Sequence, residues 1–303
     1  MLNTGQKHRS FLVRSKWLFP VSCRPLENAW IRVERGAVTG FGVWPPRKDT
    51  GIEVIDQGNT IITPGFINAH SHLEFSSCQK PFDTTGALHE WIREVVSWKR
   101  SQYTPSTTAH KKITAAIVSG INESAAHGVV ALGEIATSDI PYNEISGRLR
   151  LRVFQEVLGL NQSTTNSLPS RVVSNLRSFQ RLSRANVAVG LSPHAPYSTQ
   201  WHIGRAALAA AKCNLNCFRR RARHNTCVTP LAMHLAESKF EEEFLIKQTG
   251  PFRELFNELD IWPEATPKLA TTADWISLLA KSGRRSEEHT SELQSHSDLV
   301  CRL

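Results

Sequence analysis

The stretch Ile61-Ile62-Thr63-Pro64-Gly65-Phe66-Ile67-Asn68-Ala69-His70-Ser71-His72 decides how the 303-residue chain is read. Its apolar, partly β-branched residues predict a buried strand over residues 61–67, and that strand delivers two histidines two positions apart. Side chains alternate across a strand, so His70 and His72 are expected to point the same way. Two imidazoles converging at one strand end are half of a metal-ligand set. A pair of solvent-facing loop histidines is the plain alternative, and the Pro-Gly turn with its following apolar residues argues against it.

Working outward, residues 11–60 hold short alternating segments, Trp30 to Glu34, Gly36 to Val43 and Glu53 to Asp56, punctuated by glycine and proline. They predict a small β-rich module. From residue 61 the rhythm changes to apolar strands alternating with longer helical stretches. Candidate strands follow at 129–134, 151–157, 187–191 and 231–234, with helices near 107–127, 170–182, 201–212, 238–249 and 272–281. Repeated strand-then-helix order predicts a parallel sheet with helical crossovers. Residues 213–229, rich in cysteine and arginine, interrupt that rhythm. Cys213, Cys217, His224 and Cys227 are spaced too irregularly for a zinc knuckle, and an inserted loop is the better reading.

Composition narrows the function classes. Apolar content of 40% with 21% charged residues is that of a globular protein with a sizeable core. The polar first ten residues carry no secretory h-region, and no apolar run approaches the ~20 residues of a membrane span. The six cysteines form no evenly spaced framework, so reduced thiols and a cytoplasmic setting are expected. Much of the net charge of +9 is scattered. Its one dense run, Arg219 to His224, has no interleaved aromatics and reads as a solvated loop, so nucleic acid is not an expected partner.

Three further clusters sit at or just past strand ends, where α/β folds place their sites. They are Gly133-Glu134-Ile135-Ala136-Thr137, Ser192-Pro193-His194-Ala195-Pro196-Tyr197, and His234-Leu235-Ala236-Glu237. In the last, a carboxylate follows a histidine by three residues and can reach a water on the same metal, an arrangement for acid/base work. A core histidine followed by a helix-start glutamate is the plain alternative. Glu134 reads as a polar strand-end residue before it reads as a ligand.

Together with residues 64–72, the last two clusters resemble the amidohydrolase superfamily. The branch they resemble is that of the aminohydrolases: cytosine, guanine and S-adenosylhomocysteine deaminases with their chlorohydrolase relatives. The resemblance runs from about residue 11 to about residue 284. It implies a (β/α)8 barrel flanked by a small β-sandwich. The expected organisation is therefore a partial β-sandwich module over 1–60, an incomplete TIM-like barrel over 61–285, and an unrelated or read-through tail over 286–303. By the same resemblance His70, His72 and His234 are metal ligands, Glu237 is the proton-shuttling acid/base, and His194 contacts substrate. Glu74 and Trp91, the latter placed in the loop after the first strand, are further substrate contacts. The implied ion is zinc, with iron the alternative that suits the same ligands. The implied chemistry is hydrolysis of a C–N bond in a small heterocyclic amine by a metal-activated water, with Glu237 moving its proton to a ring nitrogen.

The departures from that pattern also shape the expectation. Relatives in this branch carry a sixth-strand histidine and an eighth-strand aspartate. After Glu237 the histidines here are His289 and His296, both in the tail, and Asp260, Asp274 and Asp298 follow no strand. About five candidate barrel strands stand against the eight of a closed barrel. With three histidine ligands and an open barrel, the chain is expected to hold metal weakly and show little activity. Two rival readings remain: a non-catalytic metal- or nucleic-acid-binding protein that uses the 213–229 insert, and a homo-oligomer in which another copy lends the missing strands.

Overall fold

The computed structural model describes residues 10–47, 51–82, 86–102, 107–138, 140, 142–145, 147, 149–160, 186–212, 229–263, 267 and 269–281. The expected helix at 170–182, the Cys/Arg-rich residues 213–228 and the tail 286–303 lie outside the described residues. Two compact units make up the chain, Met1–Phe66 and Ile67–Leu303. No helix among the described residues is long and apolar enough to cross a membrane.

The first unit is built on one sheet. Strand β1 (Ser10–Leu18) pairs antiparallel with β2 (Leu26–Glu34), and β2 pairs antiparallel with β3 (Ala37–Val43). Arg35 and Gly36 join β2 to β3 with φ of 52° and 78°, the left-handed pair that a two-residue hairpin turn requires. Strands β4 (Glu53–Asp56) and β5 (Ile61–Ile62) both run parallel to β1. The apolar run at 61–67 is therefore not one strand. Ile61 and Ile62 pair with Trp17 and Leu18, Thr63-Pro64-Gly65 leaves the ladder, and a new strand, β6 (Phe66–Ser71), begins. Pro64 lacks the N–H that a continuous ladder would use at its position.

In the second unit the sheet order is β6, β7 (Val129–Ala136), β8 (Arg150–Val157), β9 (Val187–Pro193). The β7–β8 and β8–β9 pairs are parallel. The expected fifth strand is an extended segment that makes a single bridge, Leu231 to Leu191. Leu191 donates to Pro230 O (3.0 Å) and accepts from Ala232 N (3.0 Å). The next rung would need an N–H from Pro193, which has none, so the ladder stops there. It resumes one step on, where His234 N donates to His194 O at 2.9 Å.

Helices α1 (Leu88–Gln102) and α2 (Thr107–Ala126) connect β6 to β7. The four-residue α3 (Tyr142–Ile145) precedes β8, and α4 (Trp201–Lys212) follows β9. Three more helices come after the bridge: α5 (Lys239–Lys247), α6 (Pro251–Glu258) and α7 (Thr272–Ala280). Helices α1 and α6 were not expected, although Leu88, Val95 and Phe252, Leu255, Phe256 are buried at helical spacing. Thr271 and Asp274 form a reciprocal capping box at the start of α7, which accounts for Asp274.

The outer layer of the core joins Leu132, Leu151, Val153 and Leu191 of the strands to Ile117, Ile121, Ile203 and Trp275 of the helices. Ile135, Phe154 and Ala232 form a small cluster of their own. Gly190, paired with Phe154 in register, leaves room for that ring. This is an α/β sheet with helical crossovers, part of a barrel as expected.

Gly133 on β7 sits against β6 so closely that a Cβ there would collide with the carbonyl oxygen of Ala69, the residue before His70. Backbone cannot yield as a side-chain end can. Gly133→Ala is expected to destabilise the chain by about 1–3 kcal/mol, read from urea midpoints. An unchanged midpoint would show that the two strands do not pack this tightly.

Candidate metal centre and its cavity

His70 lies in β6 and His72 caps the 3-10 turn Leu73–Ser77 that follows it, so strand alternation places both rings on one side. Their Nε2 atoms stand 3.2 Å apart. The His234 ring arrives from the bridged segment, its centroid 4.8 Å from that of His70 and 5.7 Å from that of His72. One ring nitrogen from each of the three falls within a 4.8 Å group. Burial, reinforced by the neighbouring imidazoles, holds His72 and His234 well below the usual histidine range. Imidazole nitrogens are ligands for divalent ions, and three of them in one coordination sphere fit a zinc-type ion.

Glu237 follows His234 by one turn of chain. Its Oε1 lies 3.6 Å from His234 Nδ1, and its Oε2 accepts a hydrogen bond from Tyr197 Oη at 2.9 Å. Burial raises its pKa against the pull of His194 and of the tyrosine hydrogen bond. The approach is set by Ala236, at φ 57°, and by the start of α5. There Ser238 Oγ accepts from Glu241 N (3.1 Å), and Glu241 Oε2 accepts from Glu237 N (2.6 Å). Glu241 is fully buried, and burial followed by the like charge of Glu237 pushes it up to about 8.

His194, just past β9, faces the same space. Its Nδ1 is 2.6 Å from Ser198 Oγ, and its Nε2 is 3.9 Å from Glu156 Oε1 at the end of β8. Burial lowers His194 to about 4 and raises Glu156 to about 7. Lys99 reaches in from α1, bonded to Glu74 Oε2 (3.0 Å) and Thr137 Oγ1 (2.9 Å). These groups border a cavity of about 380 Å³ whose walls are otherwise apolar, with Phe75, Trp91 and Phe256 prominent.

His70, His72, His234, Glu237, His194 and Trp91 thus all meet at one cavity. Trp91 comes from helix α1, not from a loop. Glu74 does not line the cavity: it is buried behind Lys99, accepting also from Thr137 Oγ1 and Ser138 N. Glu134 accepts from Leu73 N and Tyr142 Oη, so it braces the turn after His72. The sequence reading did not assign Lys99, Glu156 or Tyr197. A glutamate closing the apolar strand β8 was a usable signal, whereas a lysine in a helix was none.

The sequence model of the amidohydrolase family matches residues 61–254. The aminodeoxyfutalosine deaminase of Nitratiruptor sp. is 26% identical over 205 residues, which cover 66% of this chain and 45% of that protein. The chain spans under half the length of the curated relatives it matches. Among solved structures, Helicobacter pylori aminofutalosine deaminase in complex with methylthio-coformycin superposes with a TM-score of 0.72 at 22% identity, covering 88% of this chain and 61% of that one. An adenosine deaminase from Xanthomonas campestris with bound zinc gives 0.55 at 13% identity, covering 91% and 62%. At these identities the structural likeness is one of fold.

Glu241 generates a pH prediction. A carboxyl whose folded-state pKa is raised holds its proton more tightly than in the unfolded chain. Its contribution to stability is complete below about 4.5 and is lost as the pH climbs through about 8. Glu241→Gln can accept the Glu237 N–H bond and cannot ionise. Urea midpoints between about pH 5 and pH 9 are expected to fall less steeply for this variant than for the wild type. Parallel slopes would mean that Glu241 does not titrate in this range.

Proposed function

This chain belongs to the amidohydrolase family, and we propose that its cavity is the site of a hydrolytic deaminase acting on a small amino-heterocycle of the nucleobase or nucleoside class. The observation that carries this reading is the joint placement of three imidazoles and the Glu237 carboxyl at one apolar-walled cavity. His70, His72 and His234 are the residues to hold the ion, for which zinc is our choice. When bound, such an ion supplies the Lewis acidity that makes water nucleophilic near neutral pH.

The chain's own groups then divide the remaining work. Glu237, steered by Tyr197 Oη and by the Glu241 clamp on its backbone, takes a proton from the attacking water and returns it to a ring nitrogen, so that the amine can depart. His194, held on Nδ1 by Ser198, orients the substrate through Nε2. Trp91 and Phe75 offer flat apolar surface to a heterocycle and help exclude water. The names of the relatives, deaminases of purine-type compounds among them, support this substrate class. Among the described residues no carboxylate joins the three-imidazole cluster, so the chain as given is expected to hold metal weakly and turn over slowly.

Two measurements test the proposal. In equilibrium dialysis, His72→Ala and His234→Ala are each expected to weaken zinc binding by more than the roughly 10–100-fold typical of losing an outer-shell partner. Unchanged zinc retention in either variant would reject the ligand set. Ammonia release from adenosine by the zinc-saturated chain is expected to be slow and to vanish in Glu237→Gln while that variant keeps its zinc. Equal release with and without the Glu237 carboxyl would reject its role.

A further inference from the structure

Among the described residues, Glu156 is the one acid at the cavity to which the mechanism above gives no task. It shares the Phe154 face of β8, two residues further along, at the C-terminal strand end where barrel folds place their chemistry. Its side chain is 4% exposed, yet it borders the cavity. Among the described residues no donor lies within hydrogen-bond reach of it. Lys99, whose charge acts on it, is already committed to Glu74 and Thr137. Its register partner on β9, Ser192, carries a buried hydroxyl that also lacks a partner among the described residues. Buried polar groups are nearly always satisfied, and each exception calls for a missing partner.

His194 shows what that partner must be. Its Nδ1 is engaged by Ser198 Oγ at 2.6 Å, which leaves Nε2 as the ring nitrogen that looks across at Glu156. Nε2 and Glu156 Oε1 face one gap 3.9 Å across, too wide for a direct hydrogen bond. A carboxylate oxygen that meets no donor is satisfied when a ligand's N–H or O–H stands in such a gap.

We propose that Glu156 is a substrate-binding residue: beside His194 Nε2, its carboxylate receives an N–H or O–H group of the substrate. The site would then discriminate for heterocycles carrying such a donor, because a ligand without one leaves a buried carboxyl unpaired. This rests on the deaminase reading for the choice of substrate class, while the placement of Glu156 at the cavity does not.

The test is a cross of ligand and protein changes. Calorimetric affinities of the zinc-saturated chain for adenosine, N6,N6-dimethyladenosine and 2′,3′-dideoxyadenosine are compared in wild type, Glu156→Gln and Glu156→Ala. Losing a hydrogen bond to a charged group is expected to weaken adenosine binding about 10–100-fold in Glu156→Ala. The substitution should cost nothing further for the analogue that lacks the recognised donor. Immunity of the dimethyl analogue identifies the exocyclic amine, and immunity of the dideoxy analogue identifies a ribose hydroxyl. Equal losses for all three ligands, or none, would overturn the proposal. Glu156→Gln, which keeps the side-chain volume, guards against misfolding, and its circular dichroism melt reads that directly. Benzamidine, a flat apolar ring with N–H donors on one edge, separates the two readings and needs no metal. If no nucleoside binds the wild type, the deaminase reading falls. Benzamidine binding that is weakened in both variants would still uphold Glu156, and benzamidine binding unaffected by either substitution, or absent from the wild type, would overturn it.

Discussion

The ladder that sets the strand ends level with one another is the constraint on which the whole cavity depends. Parallel pairing places Ala136 beside Gln155 and Glu156 beside Ser192, and the bridge at Leu191 carries the order on to Leu231. The bond from His234 N to His194 O then brings the last imidazole to the height of the first two. A slip of one residue in any of these registers would turn the functional side chains to the opposite face. The close approach of β7 to β6 at Gly133 belongs to the same constraint, because it holds the strand that carries His70.

A dense set of ionisable groups is buried at those strand ends, and the protein manages them in two different ways. Glu74 is paired with Lys99 and fed by Thr137 and Ser138, and these partners bring its pKa down despite burial. Glu134 has only a backbone N–H and the Tyr142 hydroxyl, and burial dominates. The cavity groups His72, His194, His234, Glu156 and Glu237 are shifted toward their neutral forms. Neutral histidines and protonatable carboxyls cost stability as solitary core residues, yet they are what metal binding and proton transfer require. Local rules are broken here because the site needs groups that a stable core would avoid.

Much of the arrangement was legible in the chain. Period-two and 3.6-residue patterns located β2, β3, β4, β7, β8, β9, α2, α4, α5 and α7 close to where they lie. The misreadings have local causes. The run at 61–67 looked continuous because Ile61-Ile62 and Phe66-Ile67 are equally apolar, but Pro64 divides them between two sheets. The 231–234 segment looked like a full strand because its neighbour's missing N–H, at Pro193, is invisible in its own residues. Helix α1 was passed over because its apolar positions are diluted by charged ones, and Trp91 was misplaced with it.

By itself the sequence determined that His70 and His72 point to the same side, that a carboxylate follows His234 by three residues, and that these motifs occur in a family's order. Each is a matter of spacing along one stretch of chain, governed by strand and turn geometry. Only the tertiary structure decided that His234 and His194 share a cavity with His70, that Lys99 satisfies Glu74 from another helix, and that Glu156 faces the His194 ring across a 3.9 Å gap. Those outcomes join residues 25 to more than 160 positions apart in the chain. They depend on which strand ends the ladder brings level and on what burial does to charge once they meet, and no local pattern encodes either.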